Sequence, residues 1–342
     1  SSYPKMSKGD KLKQKLLFIG VLFFILKADF FAQDKSLYEL LKENFKKKYL
    51  SIGLQFQGLA DFQPERNLAG NNGFRIANLK LKIKGDLDDN VGYYIQMNFV
   101  KSVSLYDAFI SYKHSDLIKL DLGQFKSPFS TEELTSSSVI DFVNRSQVVS
   151  KIAPGRQIGL QLSGILKEAH IFYTAGIFNG NGINTTNDNQ HFLYLGRMGY
   201  SQNFNKNNKI DFALNAGFSK DDMESFQGDR FIAGGDFRLV VDDILLSSEY
   251  ILQKLKDSMK TKFTNQGYHI TVGYSVSEIV QLLARWDSYI PDKLIGTENN
   301  LAILGCNISP NEFIFIRINY LINPDDKEFK HHRLLVSSQL VF

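Results

Sequence analysis

Residues 123–156 read GQFKSPFSTEELTSSSVIDFVNRSQVVSKIAPGR. On both sides of this stretch apolar and polar residues alternate, as in Ile118 to Phe125 before it and Gln157 to Leu166 after it. Within it the alternation is lost for about thirty residues, and a patternless connection of that length is usually functional or disordered. Pro128 and Pro154 set where the chain leaves and rejoins the regular pattern. The hydroxyls of Thr131 to Ser138 satisfy backbone groups that leave a sheet, and Phe129, Val139, Ile140 and Phe142 supply an apolar side for packing. The stretch predicts a long loop set into a wall of strands.

The wall begins at Tyr49, where the period becomes two. Leu50, Ile52, Leu54 and Phe56 fall on one face, and Ser51, Gly53, Gln55 and Gln57 on the other. The pattern recurs near residues 76–84, 91–100, 105–113, 118–125, 157–166, 169–178, 193–204, 209–219, 231–241, 244–254, 267–275, 279–289, 301–308, 313–321 and 333–342, which makes sixteen candidate strands. Most have about the nine to eleven residues that cross an outer membrane when tilted. Their connections alternate in length. Asp88 to Asn90, His114 to Leu117, Lys167-Glu168, Asn205 to Asn208, Asp242-Asp243, Ser277-Glu278 and Ser309 to Glu312 are tight. Asp61 to Gly73, Lys126 to Gly155, Asn179 to Gln190, Lys220 to Asp229, Leu255 to Gln266, Pro291 to Asn299 and Asn323 to Lys330 are long, and Lys101 to Ser104 alone breaks the rule. An up-and-down barrel with short periplasmic turns and long external loops produces this asymmetry, and a Greek-key sandwich does not. The expected fold is therefore all-β, a transmembrane antiparallel barrel of about sixteen strands.

Alternation does not say which face meets lipid. Faces such as Phe212, Leu214, Ala216 and Phe218 carry no charge, whereas Asp211, Asn215, Gln281, Arg285 and Asp287 lie on the opposite faces. Together with Tyr49, Tyr106, Tyr112, Tyr268, Tyr274 and Tyr289 near strand ends, this favours an apolar exterior with interfacial aromatic girdles.

The formal charge of +4 comes from the first 33 residues, which hold six lysines and two aspartates; the remainder has 34 basic and 34 acidic residues. No nucleic-acid footprint is visible in a balanced chain. Residues 1–33 read as an export signal, with five residues ahead of Met6, a basic region, an apolar run from Leu16 to Leu26 and a short segment ending Ala32-Gln33. Residues 34–48 read as a short periplasmic helix or linker, and 49–342 as the barrel with its constriction loop at 126–155. The lone Cys306 excludes an internal disulfide and any CxxC motif.

The long stretch also carries a resemblance. A strand ending Gly123-Gln124-Phe125 is followed by Lys126-x-Pro128-Phe129-x-x-Glu132-x-Leu134-Thr135-Ser136-Ser137, then Phe142-Val143-Asn144-Arg145 and a closing Pro154-Gly155-Arg156. With FRIANLKLKIKGDL at 74–87 and LYDAFISYK at 105–113, it resembles the phosphate-selective porin O/P family of outer-membrane channels. The resemblance implies a homotrimer of barrels in the outer membrane, in contact with its lipid and lipopolysaccharide. In each barrel the third external loop folds inward and narrows the pore. The ending RLLVSSQLVF at 333–342 looks like the carboxy-terminal signal of such barrels.

A barrel this wide is not filled by wall side chains. Selectivity is then set by charge facing the lumen. Strand parity turns Lys80, Lys82 and Lys84 inward as a basic stripe, with Lys126, Arg145, Lys151 and Arg156 in or beside the loop and Arg285 and Arg317 on polar faces elsewhere. Asp107, Asp121, Asp211, Asp236, Glu249 and Asp287 are also inward, so the wall charge is mixed. Phe129, Glu132, Glu133 and Asp141 are the loop residues expected at the constriction. The six histidines show no HExxH spacing and no P-loop or GxSxG is present, so neither a cofactor, a metal nor a catalytic residue is expected. The leading reading is passive diffusion of small hydrophilic solutes or inorganic anions. The alternative is a non-conducting barrel that serves as a subunit of a larger assembly with other outer-membrane proteins.

Overall fold

The computed structural model describes residues 42–64, 72–223 and 226–342. The export signal and most of the 34–48 segment lie outside the described residues. The chain divides into two units, 1–44 and 45–342, and the second is the barrel.

Sixteen strands follow in order: β1 (Ser51–Phe62), β2 (Gly73–Asp86), β3 (Val91–Asn98), β4 (Ser104–Lys113), β5 (Lys119–Lys126), β6 (Arg156–Leu166), β7 (Ile171–Phe178) and β8 (Leu193–Asn203) make up the first half. The second half is β9 (Lys209–Met223), β10 (Phe226–Val241), β11 (Ile244–Asp257), β12 (Lys262–Ser277), β13 (Val280–Ile290), β14 (Asn299–Ile308), β15 (Ile314–Ile322) and β16 (Arg333–Val341). Each pairs antiparallel with its sequence neighbours, and β1 closes on β16 from Gln55 opposite Val341 to Phe62 opposite Leu334. Closure leaves no open sheet edge, the condition for backbone to sit in hydrocarbon.

The orientation that alternation left open is decided by exposure. Along β1 the polar Gln55 and Gln57 are buried within the barrel, whereas Leu54 and Phe56 are exposed on its outside. Leu214 and Phe218 on β9, Val272 and Tyr274 on β12, and Leu282 and Trp286 on β13 are exposed in the same way. The apolar face is the outer one, opposite to a sandwich, and it forms the lipid-facing band of a transmembrane barrel.

Two connections differ from expectation. Residues 220–229 were expected as a long loop, yet β9 and β10 pair from Lys209 opposite Val240 out to Met223 opposite Phe226. Residues 255–266 likewise belong largely to strands, with Lys256 paired to Lys262 across a four-residue turn at 258–261. Polar composition there resembles a loop, but a ladder needs only paired backbone groups, and hairpins that continue into water carry polar side chains on both faces.

The β5–β6 connection, residues 127–155, contains two short helices, α1 (Thr131–Leu134) and α2 (Gln147–Ile152). Ser130 caps α1 by accepting the Glu133 N–H at 3.0 Å, and Ser146 caps α2 by accepting the Val149 N–H at 3.4 Å. The loop's neck is closed by the Ser127 N–H and hydroxyl, which both donate to the Gly155 carbonyl at 2.9 Å.

Candidate functional site

The loop packs against inward-facing residues of the wall. Phe129, Val148, Val149 and Ile152 form one buried cluster with Phe125, Phe178, Leu193, Leu195, Ile232 and Ile251. Phe142 joins Leu245, Leu283 and Ile303, and Val143 joins Leu59 and Leu335. Apolar side chains at inward positions of a water-filled barrel would be costly; here they mark the footprint of the loop. Glycines complete the fit. A Cβ on Gly305 would stand 3.0 Å from Phe142 Cε1, and one on Gly267 would stand 2.9 Å from Val148 Cβ. Val139, expected on the packed side, is instead 59% exposed.

Among the described residues, polar contacts tie the loop to ten strands besides β5 and β6, between which it runs. Ser137 meets Gln55 and Gln339 and accepts from Lys80 Nζ at 2.7 Å, on β1, β16 and β2. Thr131 donates to Asp236 on β10 and accepts from Arg197 on β8, both at 2.6 Å, and the Ser130 N–H reaches Asn215 on β9. Asp141 is held by both terminal nitrogens of Arg238 at 2.7 and 3.0 Å, and its carbonyl accepts from Asn307 on β14. On β15, Arg317 donates to the Ser138 carbonyl at 2.7 Å, and Asn319 accepts the Val143 N–H at 2.7 Å. On β11, Glu249 accepts the Glu132 N–H; on β13, Asp287 accepts the Gln147 N–H and Arg285 pairs with Glu132 at 2.7 Å.

Glu132 is the hinge of this network. One carboxylate oxygen faces Arg285, and the other accepts the Ser146 N–H at 2.8 Å, which joins α1 to the cap of α2. Burial pushes its pKa up, but Arg285, His269 and the Ser146 hydrogen bonds outweigh burial and hold it at about 2.

Among the described residues strands β3, β4 and β7 receive no such ties, and β5 and β6 have only those of Lys126 and Gln157 beside the loop's neck; between the loop and the β2–β6 wall lies a cavity of about 1330 Å³. The loop sorts the mixed wall charge. Lys80, Lys82, Lys126, Arg145, Lys151 and Arg156 all line this cavity, and Lys119 and Arg333 do too. Among the described residues only Asp107, Asp121 and Asp287 line it with opposite sign. Each of those acids is engaged: Asp107 by Arg156 at 2.9 and 3.0 Å, Asp121 by Lys119 at 2.8 Å, and Asp287 by the Gln147 amide. Among the described residues Lys80, Lys82, Lys126 and Lys151 have no carboxylate within ion-pair distance. Lys126 Nζ donates to the carbonyls of Glu133 and Thr135 at 2.6 and 2.8 Å, and Lys151 stands over the Tyr289 ring.

Several expected site residues lie elsewhere. Arg285 and Arg317, expected to line the pore, are both 4% exposed and committed to loop atoms. They anchor the loop because parity turns them inward at the level it covers. Phe129 is fully buried at the wall, and Glu132 and Asp141 pair with Arg285 and Arg238 behind the loop, so none of the three edges the 1330 Å³ cavity. Glu133 pairs with Arg145 at 3.1 Å. Lys84 lines a separate hollow near the Asp88–Asn90 turn. No sequence spacing links Glu249 to His269, although both sit on inward faces; they are cross-strand partners on β11 and β12.

Residues 49–292 match the family described as phosphate-selective porin O and P. No curated protein matches the chain. Three of the solved structures that share its fold are the following. The anion-selective porin from Comamonas acidovorans is 12% identical with a TM-score of 0.67, over 86% of this chain and 100% of that one. OprB of Pseudomonas putida is 12% identical with a TM-score of 0.65, over 89% and 96%. The trimer form of OmpT, an outer membrane protein of Vibrio cholerae, is 9% identical with a TM-score of 0.63, over 86% and 99%. Family and fold point to a channel rather than an enzyme, one that passes small solutes. The chain belongs to the phosphate-selective porin O and P family, and its place is the bacterial outer membrane.

Proposed function

We propose that this porin passes small inorganic anions in preference to cations, through the space between the inward loop and the β2–β6 wall. The observation that carries the reading is the charge left over in that space: four lysines without a carboxylate partner, against three acids of which Asp107 and Asp121 are ion-paired and Asp287 is hydrogen-bonded by the Gln147 N–H. Lys80 and Lys82 project from successive inward positions of β2, and Lys126, Arg145, Lys151 and Arg156 face them from the loop and its neck. Cations spaced along a path let an anion step between sites without deep trapping. Arg145 and Arg156 already spend their guanidinium groups on loop carbonyls and Asp107. Lys126 likewise spends its ammonium on the Glu133 and Thr135 carbonyls, and Lys80 donates to Ser137. Lys82 and Lys151 are therefore the groups that first meet the solute. Function is by charge and width, with no bond made or broken. We take the working assembly to be a homotrimer, the state named for the Vibrio cholerae barrel of the same fold.

The test is single-channel conductance of the purified protein in a planar bilayer under a salt gradient, with phosphate then added. Discrete steps with a reversal potential of the anion-selective sign are expected. A cation-selective or unselective channel overturns the anion preference, and a silent bilayer with a folded barrel favours the reading as a subunit of a larger assembly.

A further inference from the structure

Four adjacent strands bring a row of ionisable side chains to one level of the inner wall: Asp236 on β10 stands opposite Glu249 on β11, Glu249 opposite His269 on β12, and His269 opposite Asp287 on β13. Helix α1 lays Glu132 over this row. His269 Nε2 lies 3.8 Å from Glu132 Oε2 and 3.7 Å from Glu249 Oε2, and one donor atom from each of the three residues lies within 4.8 Å of the others. These separations are too long for hydrogen bonds. They suit donors that share an ion, since ligands about 2.1 Å from a tetrahedral centre stand roughly 3.4 Å apart.

The individual groups are short of partners. His269 is 3% exposed and, among the described residues, neither ring nitrogen has a hydrogen-bond partner; Glu249 is 2% exposed and its Oε1 has none there either. A buried carboxylate with no cation in hydrogen-bonding range is costly. Glu132 is oriented toward the same point, because Arg285 holds its Oε1 and the Ser146 N–H holds its Oε2. Two carboxylates less one guanidinium leave one negative charge for an entering dication to meet. A cavity of about 270 Å³ behind the loop, lined by Glu132, Glu249, His269 and Arg285, gives room for the ion and a fourth ligand.

We propose that Glu132, Glu249 and His269 bind one divalent metal ion of the zinc class, which clamps α1 of the loop to β11 and β12. One imidazole nitrogen and two carboxylate oxygens with an open position match zinc's preferences. Calcium and magnesium want six or more oxygens, which this cluster does not offer. The clamp joins residues 117 and 137 positions apart in sequence, and so fixes the loop independently of its own backbone.

The experiment uses the full-length barrel folded in detergent, stripped with chelator and dialysed. Zn²⁺ is titrated by calorimetry, and Co²⁺ by the visible absorption of a tetrahedral ion. One saturable equivalent per barrel is expected, weakened at least about 100-fold in His269→Ala and in Glu249→Gln. It is expected unchanged in His332→Ala, which removes the other buried histidine, the one against Tyr320. Absence of saturable binding in the wild type, or affinity unchanged in both ligand variants, overturns the proposal. If the variants do not fold, X-ray absorption of the zinc-loaded wild type decides: one nitrogen with two carboxylate oxygens supports the site, and a sulfur-containing or multi-histidine shell refutes it. Binding is read without conduction, so a silent channel does not affect the result.

Discussion

Replacing Glu132 with Gln keeps the size of the side chain and removes its charge, leaving Arg285 buried without its partner. The carboxyl is held at about 2 against an ordinary 4.5, a difference of 4.5 − 2 = 2.5. At about 1.4 kcal/mol for each pH unit, the charged form contributes roughly 3–4 kcal/mol, similar to the cost of breaking a buried ion pair. That contribution bears on docking of the loop, because Glu132 joins α1, the cap of α2 and β13. Native-state hydrogen exchange reads it directly. The Ser150 and Ala153 amides, bonded to Ser146 and Val149 carbonyls, should exchange about 300-fold faster in Glu132→Gln, while amides of the β12–β13 ladder stay unchanged. The pH dependence has a definite sign. A carboxyl depressed in the folded state gives its full stabilisation above about 4.5 and loses it as pH falls through about 2. Loop protection in the wild type should therefore fall across that window in chelating buffer, after correction for intrinsic exchange, and stay flat in the variant. Loop amides that exchange within a few-fold of wild type would refute the assignment of docking energy to this ion pair.

The double change Lys80→Glu and Lys82→Glu reverses two charges in the cavity; the reversal potential under a salt gradient should shift toward cation selectivity, and an unchanged potential would remove β2 from the conducting path. Gly305→Val inserts side chain where a Cβ already meets Phe142 at 3.0 Å and Leu283 and Asn319 at 3.2 Å. It should weaken loop docking by about 1–3 kcal/mol, seen as noisier single-channel current and faster loop exchange with the barrel still heat-resistant.

What could be read locally was legible. Side-chain direction along a strand alternates with every residue, so Gln55, Lys80, Asp236 and Arg317 could be turned inward from parity alone, and the barrel emerged from counting such segments and their connections. The long loop announced itself by losing that period. The extent of β9 to β12 is not legible in the sequence because paired strands beyond the membrane need no apolar face, and Ser219 to Asp222 look like loop. Parity also cannot say what an inward residue meets. Arg317 and Lys82 look alike in sequence, yet one is sealed under the loop against a carbonyl and the other faces open space. That depends on where the loop lies.

The sequence by itself determined the sixteen-strand wall and the presence of a long loop that interrupts it, because both are written in the spacing of neighbouring residues; which face meets lipid was decided by exposure in the folded barrel. Only the tertiary structure decided which charges remain unpaired in the channel and that Glu132, Glu249 and His269 meet. Lateral neighbours are set by strand register, barrel closure and the path of the loop, and these join residues more than a hundred positions apart.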